Sequence, residues 1–475
     1  MKDLRRTKII CTMGPTSDSE DMILKLAKEG MDVVRMNFSH GSQEYFAEKI
    51  EMIHRLCDEN NINLAILLDT KGPEIRIGEF AEGKAEFAEG DKVTVTLEEV
   101  QGTKERFTVR CKEFFDDLKE GDYFLIDDGK MKFIVKEKLE NGDLLTICDN
   151  PGTLSNRKSI NVPDVHIHMP FLSRKDESDI RFGCQQDVDY IAASFTRCAD
   201  DIQTIRKICL EEGRRKMKIY AKIENQEGFD NLDSILEVAD GVMVARGDLG
   251  VEIKSQLVPI YQKKIISKAN AAGKPVITAT HMLESMIKNP RPTRAETSDV
   301  ANAVLDGSDA IMLSGETANG AYPVESVRTM AMIAREMEKI FPYRDFLDHA
   351  KHTSEKTIQD CIGISIADSC LTLDKIKAIV VFTQGGSTAR KLSKYRPSVP
   401  IIAVTFTKTT LRNLQLHWDV FPIYSKTQND MTNDDELASA YARLFGLKTG
   451  DQIIISAGYP TGEGTANMMK IVDIK

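Results

Sequence analysis

The sequence predicts an α/β protein: a (β/α)8 TIM barrel interrupted by a small inserted β-barrel domain and followed by a three-layer α/β domain with Gly-rich loops. Three observations in its 475 residues support this. Eight short apolar runs end in polar residues or glycine, helical patterns separate most of them, and two intervals break the rhythm.

The runs are KIICTMG (8–14), DVVRMNFS (32–39), LAILLDT (64–70), DYIAASF (189–195), KIYAKIE (218–224), GVMVARGD (241–248), PVITAT (275–280) and AIMLSGE (310–316). Continuous hydrophobicity, without alternation, marks strands covered on both faces. Between them, SEDMILKLAKEG (19–30) places Ile23, Leu26 and Ala27 on one stripe and closes on Gly30, a C-cap signal. EYFAEKIEMIHRLCDEN (44–60), DDIQTIRKICLEEG (200–213), FDNLDSILEVADG (229–241), VPIYQKKIISKANAAG (258–273) and VESVRTMAMIAREMEKI (324–340) behave alike. Strands alternating with helices eight times is the sequence form of the barrel. A doubly wound open sheet is the competing architecture.

From Thr70 to about Met169 no long helical pattern appears. KVTVTL, RFTVR, YFLIDDGKMKFIVKEKL and DLLTICD alternate instead, with turn signals at Asp127-Asp128-Gly129 and Glu140-Asn141-Gly142. This reads as a β domain inserted after the third strand, at the C-terminal barrel face, where it can act as a lid. After about residue 345, AIVVFTQGGSTARKLSKY is strand, Gly-rich loop and helix, and IIAVTF and QIIISAG are further strands. The expected division is a barrel over 1–70 and 170–345, a lid over 71–169, and a last domain over 346–475.

Composition narrows the classes. A net charge of −10 argues against non-specific nucleic-acid binding, and requires cations to be gathered locally if the substrate is an anion. No apolar run approaches the roughly 20 residues of a membrane helix. MKDLRRTKIICTMGP reads as a first strand with no secretory signal. Nine dispersed cysteines without a CxxC pair suit a reducing compartment, so a cytoplasmic protein is expected.

In such a barrel, polar residues at the C-terminal strand ends converge on one site. Here they are Arg35, Asn37 and Ser39; Asp69 and Thr70; Lys222 and Glu224; Asp248; Thr280; Ser314 and Glu316. Glu224 and Asp248, without nearby His or Cys, suit Mg²⁺ or Mn²⁺, although either alone also reads as a loop acid or helix cap. Lys222 and Arg35 are the cations expected to face phosphoryl oxygens. Residues two apart on a strand share a face but seldom meet squarely, so a Lys222–Glu224 ion pair is the competing reading. Asn37, Ser39, Asp69 and Thr70 can hold a monovalent cation or simply hydrogen-bond strand ends. His166 and His168 lack a third ligand and read as structural, and Trp418 reads as a packing residue. No GxGxxG and no Walker lysine motif occurs. In the last domain Thr383, Gln384, Gly385, Gly386, Ser387 and Thr388, with Gly462 and Gly464 in GYPTGEGTAN, offer two loops suited to a regulatory phosphate.

VVRMNFSHG, LLDTKGPEIRIG, AKIEN, VMVARGDLGVEI, ITATHMLESM and RPTRAETSDVANAVLDGSDAIMLSGETANGAYP together resemble the pyruvate kinase family, in order and across essentially the whole chain. The resemblance implies a barrel, a mobile lid and an effector domain, usually in a homotetramer. It implies phosphoryl transfer from phosphoenolpyruvate to ADP, giving pyruvate and ATP, with Mg²⁺ and often K⁺. By that resemblance Lys222 and Arg35 match the phosphoryl-binding cations, and Glu224 and Asp248 the divalent-ion carboxylates. Ala245, Arg246 and Gly247 match the loop gripping the substrate carboxylate. Asn37, Ser39, Asp69 and Thr70 match the K⁺ ligands, and Glu74 is the residue type of K⁺-dependent members. Thr280 matches the threonine of the proton relay, with Ser314 and Glu316 at the same corner. Arg76, Lys175, His40 and Asn37 match the nucleotide side, and the TQGGSTAR loop fits a sugar phosphate such as fructose 1,6-bisphosphate. His281, where the family often has glutamine, and IHMPFLSRKD at the lid's return depart from the pattern. The rival readings are a related barrel lyase or mutase and a catalytically silent phosphometabolite sensor. The latter should have lost Lys222, Asp248 or Arg35, and all three are present.

Overall fold

A computed structural model describes residues 4–426, 435–458 and 466–475. Eight parallel strands, Lys8–Thr12, Val33–Asn37, Ala65–Asp69, Tyr190–Ala193, Lys218–Ile223, Gly241–Ala245, Val276–Ala279 and Ala310–Leu313, close into a barrel. The first pairs with the last through Lys8 opposite Ala310. Ile10, Val33, Leu67, Tyr190, Tyr220 and Met243 fill the barrel interior, while Ile9, Val34, Leu68, Ile191 and Ile219 pack outward. Both faces are therefore buried, which is why the runs do not alternate. Leu416, from the last domain, joins the interior cluster at the barrel floor.

The first helix, Glu20–Glu29, starts where the Ser19 side chain accepts the Met22 N–H. It ends at Gly30, whose φ of 124° disfavours a side chain. Two barrel helices lie outside the segments singled out in the sequence: Arg174–Gln185 and Arg294–Leu305. Both begin with capping boxes, Ser173 with Asp176 and Thr293 with Glu296.

After the third barrel strand comes a seven-stranded sheet, in the order Ile75–Arg76, Ser159–Asn161, Tyr123–Ile126, Met131–Lys138, Leu144–Cys148, Lys92–Thr96, Arg106–Thr108. Ile77 bridges to Val109 and joins its two edges, curling it into a small barrel around Phe107, Phe124 and Phe133. One short helix, Lys112–Asp117, interrupts it.

The C-terminal sheet runs Val420–Tyr424, Ile401–Thr405, Ile376–Phe382, Gln452–Ala457, Met468–Asp473, with only the last strand antiparallel. The expected boundary at 345/346 falls inside the helix Tyr343–Thr353. Its Leu347 and Ala350 pack on Ala367 and Tyr395 of the last domain.

The segment before the first strand is a seam between barrel and last domain. Arg6 donates to the Ser398 carbonyl at 2.6 Å, and its backbone N–H donates to Glu338. Lys8 Nζ, fully buried, donates to the Val420 carbonyl at 2.6 Å and lies over the Phe421 ring. Trp418 is buried against Phe341, Tyr343 and the Arg396 guanidinium. Among the described residues no helix is long and apolar enough to cross a membrane.

Candidate active site

The C-terminal ends of the barrel strands and the inserted β domain line a cavity of about 690 Å³. Arg35, Asn37, Ser39 and His40 reach it from the second strand and its loop, and Asp69 and Thr70 from the third. Lys222 and Glu224 come from the fifth, Asp248 from the helix after the sixth, and Glu74 and Arg76 from the start of the inserted domain.

The register explains the convergence. Asn37 stands opposite Asp69, and Asp69 opposite Ala192, so neighbouring strand ends deliver their polar residues at one level. Asp69, fully buried, receives Arg35 Nε at 2.6 Å and lies 3.1 Å from Lys222 Nζ. Burial opposes its charge, but the two cations win and hold its carboxyl below the usual range.

Lys222 Nζ also lies 3.0 Å from Glu224 Oε1 and donates to Ser194 Oγ at 2.8 Å. This corrects the expectation from strand spacing that the two do not meet. In a buried pocket the attraction outweighs imperfect alignment, and a four-carbon stem can bend toward a carboxylate two positions on. Burial penalises the ammonium, yet Asp69 and Glu224 raise its pKa and keep it charged. Glu224 is fully buried and receives the Phe195 N–H at 2.6 Å. Its desolvation, against the pull of Lys222, pushes its pKa up to about 8.

Ser194 escaped the sequence reading. Its hydroxyl touches Asp69 Oδ1 at 3.1 Å and the Thr70 carbonyl at 2.6 Å, so it ties the third, fourth and fifth strands together beneath the cavity. A small residue inside an apolar run carries no sequence signal for such a role.

Several other candidates lie behind the cavity wall. The Glu316 carboxylate, buried, accepts the backbone N–H groups of Leu283 and Ser314 and so holds loop backbone at that corner. Ser314 Oγ is buried without a hydrogen-bond partner among the described residues. The Arg246 guanidinium faces away, donating to the Thr280 carbonyl at 2.6 Å and pairing with Asp299 at 2.7 Å. Thr280 Oγ1 accepts the Gly247 N–H at 2.7 Å and donates to the Ala279 carbonyl, and Ala245 is a buried end of its strand. Thr280 and His281 both adopt left-handed backbone, φ 66° and 53°, a local strain held by Arg246. Lys175 is tied to Asp179 and the Phe38 carbonyl.

His166 and His168 each make a side-chain contact with a carboxylate. Both lie in the irregular segment that returns from the inserted domain: His166 lines the cavity 2.7 Å from Glu227, and His168 lies 3.0 Å from Asp117 of the inserted domain. In the last domain, Gly386 at φ 80° opens the helix Ser387–Lys394 and donates to Thr383 Oγ1 at 2.9 Å. Gln384 and Gly385 are exposed, Thr388 is buried, and Gly462 and Gly464 lie outside the described residues.

The donor chemistry fits ions of the expected kinds. Glu224 Oε1 is a buried oxygen with no aligned hydrogen bond, and Asp248 shares its cavity, an all-oxygen pair suited to Mg²⁺. Asn37, Ser39, Asp69 and Thr70 supply neutral and anionic oxygens on adjacent strand ends.

Residues 4–327 match the family model "Pyruvate kinase, barrel domain", and residues 360–472 match "Pyruvate kinase, alpha/beta domain". Proteins named pyruvate kinase from Staphylococcus haemolyticus and Staphylococcus aureus are each 48% identical over 473 residues, which is 98% of this chain and 80% of theirs. With that likeness, the closed barrel and the cation–carboxylate cluster at its mouth, the chain belongs to the pyruvate kinase family.

Proposed function

We propose that the chain transfers the phosphoryl group of phosphoenolpyruvate to ADP, forming pyruvate and ATP, within the barrel–lid cavity. The observation that carries this reading is Lys222, a buried lysine kept cationic between two carboxylates beside Arg35. Lys222 and Arg35 would meet the transferred phosphoryl oxygens from two sides. An ADP β-phosphate oxygen attacks phosphorus, the bond to the enol oxygen breaks, and that oxygen keeps the electron pair. Enolpyruvate is then protonated at carbon.

Glu224 and Asp248 would hold a divalent ion, Mg²⁺ or Mn²⁺, which when bound supplies positive charge against substrate oxygens. Asn37, Ser39, Asp69 and Thr70 would hold K⁺, with Glu74 leaving that positive charge to the ion. The loop of Ala245, Arg246 and Gly247 would grip the substrate carboxylate through backbone N–H groups. Thr280, bonded to Gly247, would order that loop and, by turning its hydroxyl, serve the proton step. Arg76, His40 and Lys175 would face the nucleotide.

Residues 71–169 would act as a lid, and residues 346–475 as a regulatory domain whose Thr383–Thr388 loop takes a phosphorylated effector such as fructose 1,6-bisphosphate. Assembly would be homotetrameric.

The test is pyruvate formation from phosphoenolpyruvate and ADP with Mg²⁺, in K⁺ and in tetramethylammonium, each with and without fructose 1,6-bisphosphate. Turnover that collapses without K⁺ supports the reaction and the monovalent site together. Turnover indifferent to K⁺ sinks the monovalent site alone. Folded protein that makes no pyruvate under any condition leaves the silent-sensor reading.

A further inference from the structure

Two of the chain's nine cysteines meet in the outer layer of the barrel. Cys184 lies in the last turn of the helix Arg174–Gln185, and Cys209 in the last turn of its neighbour, Ala199–Glu211. The two helices pack side by side, and both cysteines join the hydrophobic core, Cys184 being 3% exposed and Cys209 0%. Each thiol is the other's hydrogen-bond partner, and both are free of disulfides.

The pair is polarised. The thiol of Cys209, donating to Cys184, lowers the Cys184 pKa against the opposing effect of burial, and the Arg214 and Arg181 guanidinium groups add to the lowering. The same hydrogen bond, and burial, raise the Cys209 pKa. Cys184 Sγ therefore carries the thiolate character and Cys209 holds the proton, the division between an attacking and a resolving thiol. Two sulfurs already in contact have only to close to about 2.0 Å to bond. Both sit near helix ends, where local opening to a small oxidant costs least.

We propose that Cys184 and Cys209 are a redox-active pair that a hydroperoxide converts to a reversible disulfide. The Cys184 thiolate attacks the terminal peroxide oxygen and the O–O bond breaks. The departing oxygen takes up the proton that Cys184 released, and Cys184 is left as the sulfenic acid. The Cys209 sulfur then attacks the Cys184 sulfur, and the hydroxide expelled leaves as water with the Cys209 proton. Together the two sulfurs lose two electrons and the peroxide gains them. The site stands whether or not the chain makes pyruvate.

The tie would reach the rim of the catalytic cavity. At the start of the first helix, Asp176 accepts the N–H groups of Lys71 at 3.0 Å and Gly72 at 3.2 Å, where the chain enters the inserted domain. At the start of the second, Arg197 donates its backbone N–H to Asp201 at 2.9 Å and its guanidinium to the Met169 carbonyl at 3.0 Å, where the chain returns. A disulfide that fixes the spacing of the two helices thereby fixes the spacing of those two connections.

The full-length protein would be treated with hydrogen peroxide in slight excess, blocked with iodoacetamide and digested without reductant for peptide mapping by mass spectrometry. A cross-linked Cys184–Cys209 peptide that dithiothreitol abolishes supports the proposal. Both positions alkylated, or either one joined to a different cysteine, overturns it. The order of attack is read with dimedone, which traps sulfenic acids. Cys184 in the Cys209→Ser protein should label about tenfold more than Cys209 in the Cys184→Ser protein. Equal labelling overturns the roles given to the two sulfurs. Amide hydrogen exchange at Lys71 and Gly72 should slow in the cross-linked protein, and unchanged exchange overturns the coupling to the rim. Should a variant fail to fold, the wild-type cross-link decides alone.

Discussion

Lys222 Nζ lies 3.0 Å from Glu224 Oε1, across two positions of one strand and with both side chains buried. The ammonium thereby lies against Glu224 and Asp69 at once, and it lines the cavity. Lys222→Gln should lower kcat by about 10²–10³-fold, the usual effect of removing one preorganised electrostatic group. Steady-state kinetics on protein with native circular dichroism checks it. A loss confined to KM would mean that Lys222 only binds substrate.

Glu224 sets a pH dependence whose sign follows from its raised pKa. Its folded pKa of about 8 exceeds the ordinary 4.5. Between those values the folded protein holds a proton that the unfolded chain has lost, so without metal, stability falls as pH rises across the window. If Glu224 holds Mg²⁺ as proposed, binding would expel that proton, so Mg²⁺ affinity should rise by up to tenfold per pH unit from pH 6 to about 8 and then level off. Calorimetric titration in buffers of different ionisation enthalpy counts the proton directly. Affinity flat from pH 6 to 8 would rule out a protonated Glu224.

Arg246 is predicted to act through the loop it holds. Arg246→Ala removes the donors to the Thr280 carbonyl and leaves Asp299 without its partner. Asp299 is partly exposed, so the cost should sit near the lower end of a broken buried pair, about 2–3 kcal/mol. The strained backbone at Thr280 and His281 should relax, lowering kcat more than the stability loss explains. Arg246→Lys should recover stability only in part, since one ammonium cannot replace the planar fork. Urea unfolding and kinetics on the same samples separate the two effects.

Arg396 joins the barrel to the last domain through Asp309 at 3.1 Å and the Gly307 carbonyl at 2.8 Å, with its guanidinium 4.7 Å from the Trp418 ring. Arg396→Met leaves a buried carboxylate unpaired and should cost about 3–5 kcal/mol. The chain has one tryptophan, so its fluorescence reports this interface without interference. Its red shift should occur at lower urea in the variant, before loss of the barrel's circular dichroism.

The barrel strands were legible because burial on both faces leaves continuous apolar runs. The helices Arg174–Gln185 and Arg294–Leu305 were not singled out, since polar side chains dilute their stripes; their capping boxes were the readable signal. For the site, strand-end position identified Arg35, Asp69, Lys222 and Glu224 as neighbours. It did not tell which polar ends turn into the cavity and which, like Glu316 and Arg246, turn back to hold loop backbone. Ser194 had no signal, and spacing alone understated how closely a flexible lysine approaches a carboxylate on its own strand.

The seam at Lys8 has a consequence for biosynthesis. Its ammonium finds the Val420 carbonyl 412 residues later in the chain, and its strand closes the barrel only against Ala310. At roughly 5–20 residues per second, a ribosome needs about 20–80 s to span that separation. Until Ala310 has been made the first strand has one edge unpaired, and until Val420 follows its lysine lacks its buried partner, a nascent state open to chaperone capture. Burying Lys8 is thus among the last acts of translation-coupled folding, and the barrel's closure waits on the second half of the message.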